Sequence, residues 1–239
     1  GEPLPLDVFC VEPGRWSGAS LAFESKSLMA NPSLREQAQV SQSQEAVWTA
    51  NRETLSGVVG GLPGGVIRES DSYAAVVEAA PLRRKIADVS ASLQQEYEQA
   101  LRERLRGKNV VGVVVAVNGE VIWADLFAEP ALFEKYWPKL LRSYVVEALA
   151  VERREQPEAS RHAAEDFLAE QEGRQIIEVE PGEYRLVQVD HPRYALFALT
   201  SLWEKDAPLL HFNKLRKETA RGPKPGPPMP LPLPLRPEP

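Results

Sequence analysis

The stretch NVVGVVVAVNGEVIWADLF, residues 109–127, constrains the fold of this chain more than any other. Two runs rich in β-branched residues flank Asn118-Gly119, the pair that best tolerates the positive φ values of a two-residue type I′ turn. The pattern predicts a β-hairpin. Its first run is apolar throughout, which predicts a central strand covered on both faces. Strict alternation in VIWADLF places Asp125 with Val121 and Trp123, opposite Ile122, Ala124 and Leu126.

The segments around the hairpin read mostly as helices. Pro32-Ser33 opens a polar run, SLREQAQVSQSQEAVWTANRETL, whose apolar face is thin: Leu34, Ala38, Val47 and Leu55. GVVGGLPGG (57–65) reads as a flexible connector, because glycine admits positive φ and Pro63 interrupts any element. ESDSYAAVVEAA predicts a short helix capped by Ser70 or Asp71. Leu82, Ile86, Val89, Leu93, Tyr97, Leu101 and Leu105 then recur every three or four residues. That spacing predicts one long amphipathic helix ended by Gly107, its stripe packed on the sheet rather than in a coiled coil.

After the hairpin, Pro130 can start a helix at its tolerated first position, and Pro138 is expected to kink or restart it. Leu140, Leu141, Tyr144, Val145 and Leu149 carry the apolar stripe onward. The charged stretch 152–174 holds a short, exposed helix, and QIIEVE, EYRLVQVD and YALFALTSLW follow as three strands. The order is α+β: a mixed or antiparallel sheet with a central Asn-Gly hairpin, packed by a long amphipathic helix and a Pro-kinked one. Residues 1–213 form one domain on this reading, and 214–239 a basic, Pro-rich tail.

That tail has nine prolines among residues 221–239, too few apolar side chains to offset chain entropy, and is expected to be disordered or polyproline II. KPGPPMP within it matches a basic residue before a PxxP ligand, a weak motif for a proline-recognising partner; a solubilising tail is the plainer reading.

Composition narrows the function classes. With 34 acidic and 28 basic residues the net charge is −6, which argues against nucleic acid as a partner. The single cysteine cannot form an internal disulfide, and no apolar run approaches the ~20 residues of a membrane span. Neither a Met nor a signal-peptide pattern opens the sequence, so the compartment stays open: cytoplasm by default, secretion or periplasm not excluded. His162, His191 and His211 lie far apart with no metal-ligand spacing, and there is no phosphate loop, no nucleophile elbow and no cofactor motif.

The remaining candidates cluster at the start, in PLPLDVFCVEPGRWSG (3–18). PLPLDVFCVE reads as a strand, and its nearest convincing partner lies about a hundred residues on, so the expectation is that pairing strands lay upstream in a longer protein. Cys10 is either a core residue or, with a lowered pKa, a nucleophile. Pro13-Gly14 makes a turn after Glu12. Arg15 then either locks the corner against Glu12 and Trp16, or aims its two-pronged guanidinium at an anionic ligand with Trp16 as a wall.

DVFCVEPGRWSG, SQEAVW and GVVVAVNGEVIWADLFAEPALFEKYWPKLLRSYVVEAL together resemble, over about residues 5–150, the ADP-ribosylglycohydrolase- and rhodanese-phosphatase-associated protein domain, a mostly bacterial family without an assigned activity. The resemblance matches Cys10, Glu12, Gly14, Arg15, Trp16, Trp48, Asn118, Gly119 and Asp125. It implies an upstream β-rich half with a Gly-Gly-Lys-Gln-like segment, absent from this sequence, and Pro13 stands where relatives often have His or Gln. The family name implies genomic association with ADP-ribose and phosphatase enzymes, not catalysis. Two functions follow as expectations: an accessory domain binding a small anionic ligand or a partner protein, or an enzyme on a nucleotide- or ADP-ribose-linked substrate using Glu12, Asp125 and possibly Cys10 as acid–base or nucleophilic groups.

Overall fold

A computed structural model of the chain describes residues 9–12, 28–61, 71–153, 156–203, 205–206 and 208–220. In order these form α1 (Pro32–Glu36), a π-helical turn (Gln37–Ser41), α2 (Gln44–Gly60), α3 (Tyr73–Val77) and α4 (Ala80–Glu103). The hairpin β1 (Gly112–Val117) and β2 (Glu120–Phe127) follows, then α5 (Pro130–Ala150) and α6 (Arg161–Ala169). Four strands close the domain: β3 (Arg174–Glu180), β4 (Tyr184–Asp190), β5 (Tyr194–Ser201) and β6 (Leu209–Arg216), with a 3-10 turn at Glu218–Ala220. The fold is α+β, and its one six-stranded sheet is antiparallel throughout, in the order β1-β2-β6-β5-β4-β3. Among the described residues, no helix is long and apolar enough to cross a membrane.

The hairpin forms where its sequence requires, with Asn118 at φ 51° and Gly119 at φ 76°. Its place in the sheet differs from the expectation, because β1 is an edge strand and β2 the interior one. An apolar run alone does not separate an edge strand under a helix from a central strand. A bulge alters the facing too: Val115 pairs with Trp123 but Ala116 with Val121, so Ile122 is an extra residue. Ile122 therefore joins Trp123 in the core beneath α5, and Val121 turns to the opposite face with Ala124 and Phe167 of α6.

β6 was not expected at all, and it is the strand that locks β2 to β5. It runs through Lys214, fully buried, to Arg216, past the expected domain end at 213. Residues 221–239 lie outside the described residues, as do 1–8 and 13–27. The described part of the expected first strand, 9–12, is not in the sheet: the Gln44 side chain grips the Cys10 peptide on both sides, accepting from its N–H at 2.8 Å and donating to its carbonyl at 2.7 Å.

Most helices pack as a layer over one sheet face, and α6 lies on the other. The polar run expected as one helix breaks at Gln42, whose φ is 47°, and restarts with Ser43 as N-cap of α2. The glycine stretch 57–61 is helical or helix end, not connector, and Gly57 sits where α2 meets the end of α5: a Cβ there would lie 2.1 Å from the Ala150 carbonyl oxygen. Ser72, not Ser70 or Asp71, caps α3. Along α4 full burial is confined to Leu82 and Ile86 in the first turns; Leu93 is 40% exposed, while the half-buried Val89 and Tyr97 still pack against the core, Tyr97 on Phe133 and Trp137. α5 starts at Pro130 as expected and continues through Pro138 without interruption. Leu141, Val145 and Val146 face α2–α4, while Phe133, Leu140 and Tyr144 face the sheet.

Candidate functional site

Asp125 sits at the centre of the sheet face that α5 covers, and its carboxylate is fully buried. Five side chains donate to it. His211 Nε2 at 2.9 Å and Asn213 Nδ2 at 3.1 Å reach Oδ1 from β6, the neighbouring strand. Trp123 Nε1 at 2.8 Å, Tyr144 OH at 2.5 Å and Arg35 at 3.1 Å reach Oδ2 from β2, α5 and α1. The antiparallel register explains the convergence: Asp125 pairs with Asn213 and Phe127 with His211, so one strand face carries all four β-strand members of the group.

The helical members are positioned as deliberately. Glu147 on α5 accepts from Ser33 N–H at 3.0 Å, Ser33 Oγ at 2.7 Å and Asn31 Nδ2 at 2.5 Å, anchoring the start of α1. One turn on, the Arg35 guanidinium lies 4.3 Å from the Trp123 ring centre and 5.6 Å from that of Tyr144. Its Nε is buried without a partner among the described residues. The π-helical turn follows directly, a distortion found preferentially at functional sites.

Burial alone would raise the Asp125 pKa, but the His211 hydrogen bond and the Arg35 charge hold it well below the usual carboxylate range. Burial and the same carboxylate push the Tyr144 phenol well above its ordinary value, so it stays a protonated donor. Burial opposes the Arg35 charge, yet Asp125 beside it leaves the guanidinium above its ordinary pKa. A carboxylate offers about four acceptor positions, and five donors fill them. Asp125 thus holds five donors together at the centre of the cluster.

The cluster opens at one point. The His211 side chain is 34% exposed, against 1% for Asp125. Its ring stacks on Phe127 at 4.7 Å, and Phe127 stacks on Tyr136 at 5.6 Å with planes only 6° apart. An imidazole fixed from behind, flanked by aromatic faces, can hydrogen-bond or exchange a proton outward through its second nitrogen.

The candidates read from the sequence are dispersed. Among the described residues, Cys10 Sγ hydrogen-bonds locally, with the N–H and carbonyl of Glu12 at 3.3 and 3.4 Å. The Glu12 carboxylate accepts from Ala74 N–H at 2.8 Å in the first turn of α3. Asp125 is in the cluster, without Cys10 or Glu12 among its partners. Arg15 and Trp16 lie outside the described residues. Trp48 has its Nε1 buried and unpartnered among the described residues, and Asn118 donates to the Glu152 carbonyl at 2.9 Å. Sequence reasoning missed Arg35, Tyr144, His211 and Asn213. No local spacing links them, but a buried aspartate between aromatic residues in a strand signals that donors must come from elsewhere. Among the described residues, no group of three or more His, Cys, Asp or Glu is placed to hold a metal ion.

Compared with known proteins, the chain matches the model of one family, the ARG and Rhodanese-Phosphatase-superfamily-associated Protein domain, over residues 1–212. The match takes in β3–β5 and reaches into β6 as far as Phe212, beyond the blocks that carry the resemblance. No curated protein and no solved structure matches.

Proposed function

The chain belongs to that family, and we propose that it is an accessory domain that binds a small anionic ligand at the open end of the Asp125 cluster, with His211 as the contacting residue. The observation that carries this reading is the 2.9 Å bond between His211 Nε2 and Asp125 Oδ1 beneath a ring one-third exposed. Because Asp125 is ionised it can only accept, so Nε2 carries the hydrogen and Nδ1 is the position left for a ligand. The Arg35 and Asp125 charges cancel. An anionic ligand would bind at Nδ1 only with a hydrogen on that nitrogen, which imidazole NMR reads. Phe127 and Tyr136 supply ring faces beside it, which suits a ligand pairing an anionic group with a planar ring. Arg15 and Trp16 stand as further ligand contacts from sequence alone.

A second reading, an enzyme on a nucleotide- or ADP-ribose-linked substrate, draws on the same pair, since a buried aspartate behind a histidine is how a general base is oriented. In that case His211 is the base and Asp125 its positioning residue, while Glu12 is already committed to the α3 backbone.

Thermal shift and imidazole NMR titrations with ADP-ribose, AMP and inorganic phosphate separate these readings, using wild type and His211→Ala. Binding predicts stabilisation of wild type, absent from the variant, and a ligand-dependent shift of the His211 imidazole resonances. Turnover of ADP-ribose by wild type but not by the variant selects the enzyme. Equal shifts in the two proteins, or none in either, reject His211 as the site.

A further inference from the structure

We propose that β3 is the interface of a homodimer, in which two copies pair their β3 strands antiparallel about a two-fold axis through Ile177. β3 stands at one end of the sheet, and all seven of its residues, Arg174–Glu180, are exposed. Ile176, Ile177 and Val179 are 43%, 51% and 51% exposed, an unusual density of branched apolar side chains on a strand whose outer edge has no partner among the described residues. Proteins that keep such an edge free blunt it with charged side chains, above all lysine, or with proline or a bulge. β3 carries Arg174, Glu178 and Glu180 but no lysine, proline or bulge, and its seven residues pair with β4 without a register shift.

The choice of a second copy as occupant rests on self-complementarity. With Ile177 on the axis, the whole strand pairs with itself: Arg174 faces Glu180 of the second copy, Gln175 faces Val179, Ile176 faces Glu178, and Ile177 faces Ile177. The two-fold axis makes the Arg174–Glu180 pair twice. The neighbouring allowed registers are worse, since centring on Glu178 sets that acid against itself and centring on Ile176 sets Glu180 against Glu172. One face of the joined strands is also apolar. Ile177 pairs with Val187 on β4, so a row Val187–Ile177–Ile177–Val187 runs across the junction. The result is one continuous twelve-stranded sheet, two sets of the six strands of each copy. The contact is a single strand pair, smaller than the ~1,200–2,000 Å² of stable interfaces, so the dimer is a reversible one.

Sedimentation equilibrium of the full chain over a concentration series tests this. Wild type is expected to show a monomer–dimer equilibrium. Ile177→Lys, at a half-exposed position, should weaken it by more than about tenfold while circular dichroism and the dilute-solution melting temperature stay as in wild type. Arg174→Glu and Glu180→Arg should each weaken the dimer by setting like charges together, and the double reversal should restore it. Three results overturn the proposal: a wild type that stays monomeric at its solubility limit, association indifferent to Ile177→Lys, or association lost instead through Leu93→Glu, which would move the interface to α4.

Discussion

Replacing Asp125 by asparagine tests the centre of the molecule. The substitution keeps the shape and one acceptor oxygen, but it removes the charge opposite Arg35 and turns an amide NH₂ toward groups that are themselves donors. Arg35 lies beneath α5 with its guanidinium 3.1 Å from the Asp125 carboxylate, its single salt-bridge partner among the described residues. Breaking a buried ion pair from one side costs about 3–5 kcal/mol. In a domain of this size each kcal/mol moves the melting temperature by about 2–4 °C, so Asp125→Asn should melt roughly 6–20 °C below wild type at pH 7. Tyr144→Phe, which deletes one of the five donors and leaves the ion pair, should cost about 1.5–3 kcal/mol.

The pH dependence of the loss has a definite sign. The folded-state pKa of Asp125 lies below its unfolded value of about 3.9. Its contribution is therefore complete above about pH 5 and is lost progressively as the pH falls through and below that unfolded value. Calorimetry of both proteins from pH 7 to 3 should show the wild type converging on Asp125→Asn in acid. A variant that melts within about 1 °C of wild type at pH 7, against the ~2–4 °C expected per kcal/mol, would refute the argument. So would two curves that run parallel down to pH 3.

Three further outcomes follow from particular contacts. Gly57→Ala gains about 1 kcal/mol of helix propensity but drives its Cβ to 2.1 Å from the Ala150 carbonyl, and overpacking costs about 1–3 kcal/mol, so a lower denaturation midpoint is expected, and a higher one would show that α2 and α5 can separate freely. Lys214 is held down to about 8 by burial, its amine donating to the Phe167 and Glu170 carbonyls at the end of α6. Because the unfolded lysine titrates near 10.4, it binds more protons than the folded one between about pH 8 and 10.4, stability should rise over that window, and denaturant titrations of Lys214→Met should lose the rise. Leu93→Glu should change stability by less than about 0.5 kcal/mol, whereas Leu82→Ala should cost about 2–5 kcal/mol, since Leu82 is fully buried and Leu93 40% exposed; equal losses would restore the full stripe of α4 to the core.

Where local chemistry decides the backbone, the sequence was legible. Asn118-Gly119 made its hairpin, Pro130 its helix start, and the β-rich runs of β3, β4 and β5 their meander. Errors arose where tertiary context decides. No local signal tells an edge strand from a central one, and the bulge at Ile122 exists only against a partner strand. Gly57 read as the start of a connector because a glycine demanded by a neighbouring backbone looks the same in sequence as one demanded by a turn.

The missing strand shows how the site hid. In LLHFNKLR the inward positions of β6 include His211 and Asn213 on one face, both satisfied by Asp125 of β2, and Lys214 on the other, satisfied at the end of α6. Alternation of apolar and polar residues is the main sign of a half-buried strand, and polar residues in its buried positions erase it. Such a strand is stable only if its polar groups are paired after folding, as Asp125 pairs with His211 and Asn213. The polar residues that conceal β6 from the pattern are thus the same ones that build the cluster, and the break in periodicity marks the face that carries it.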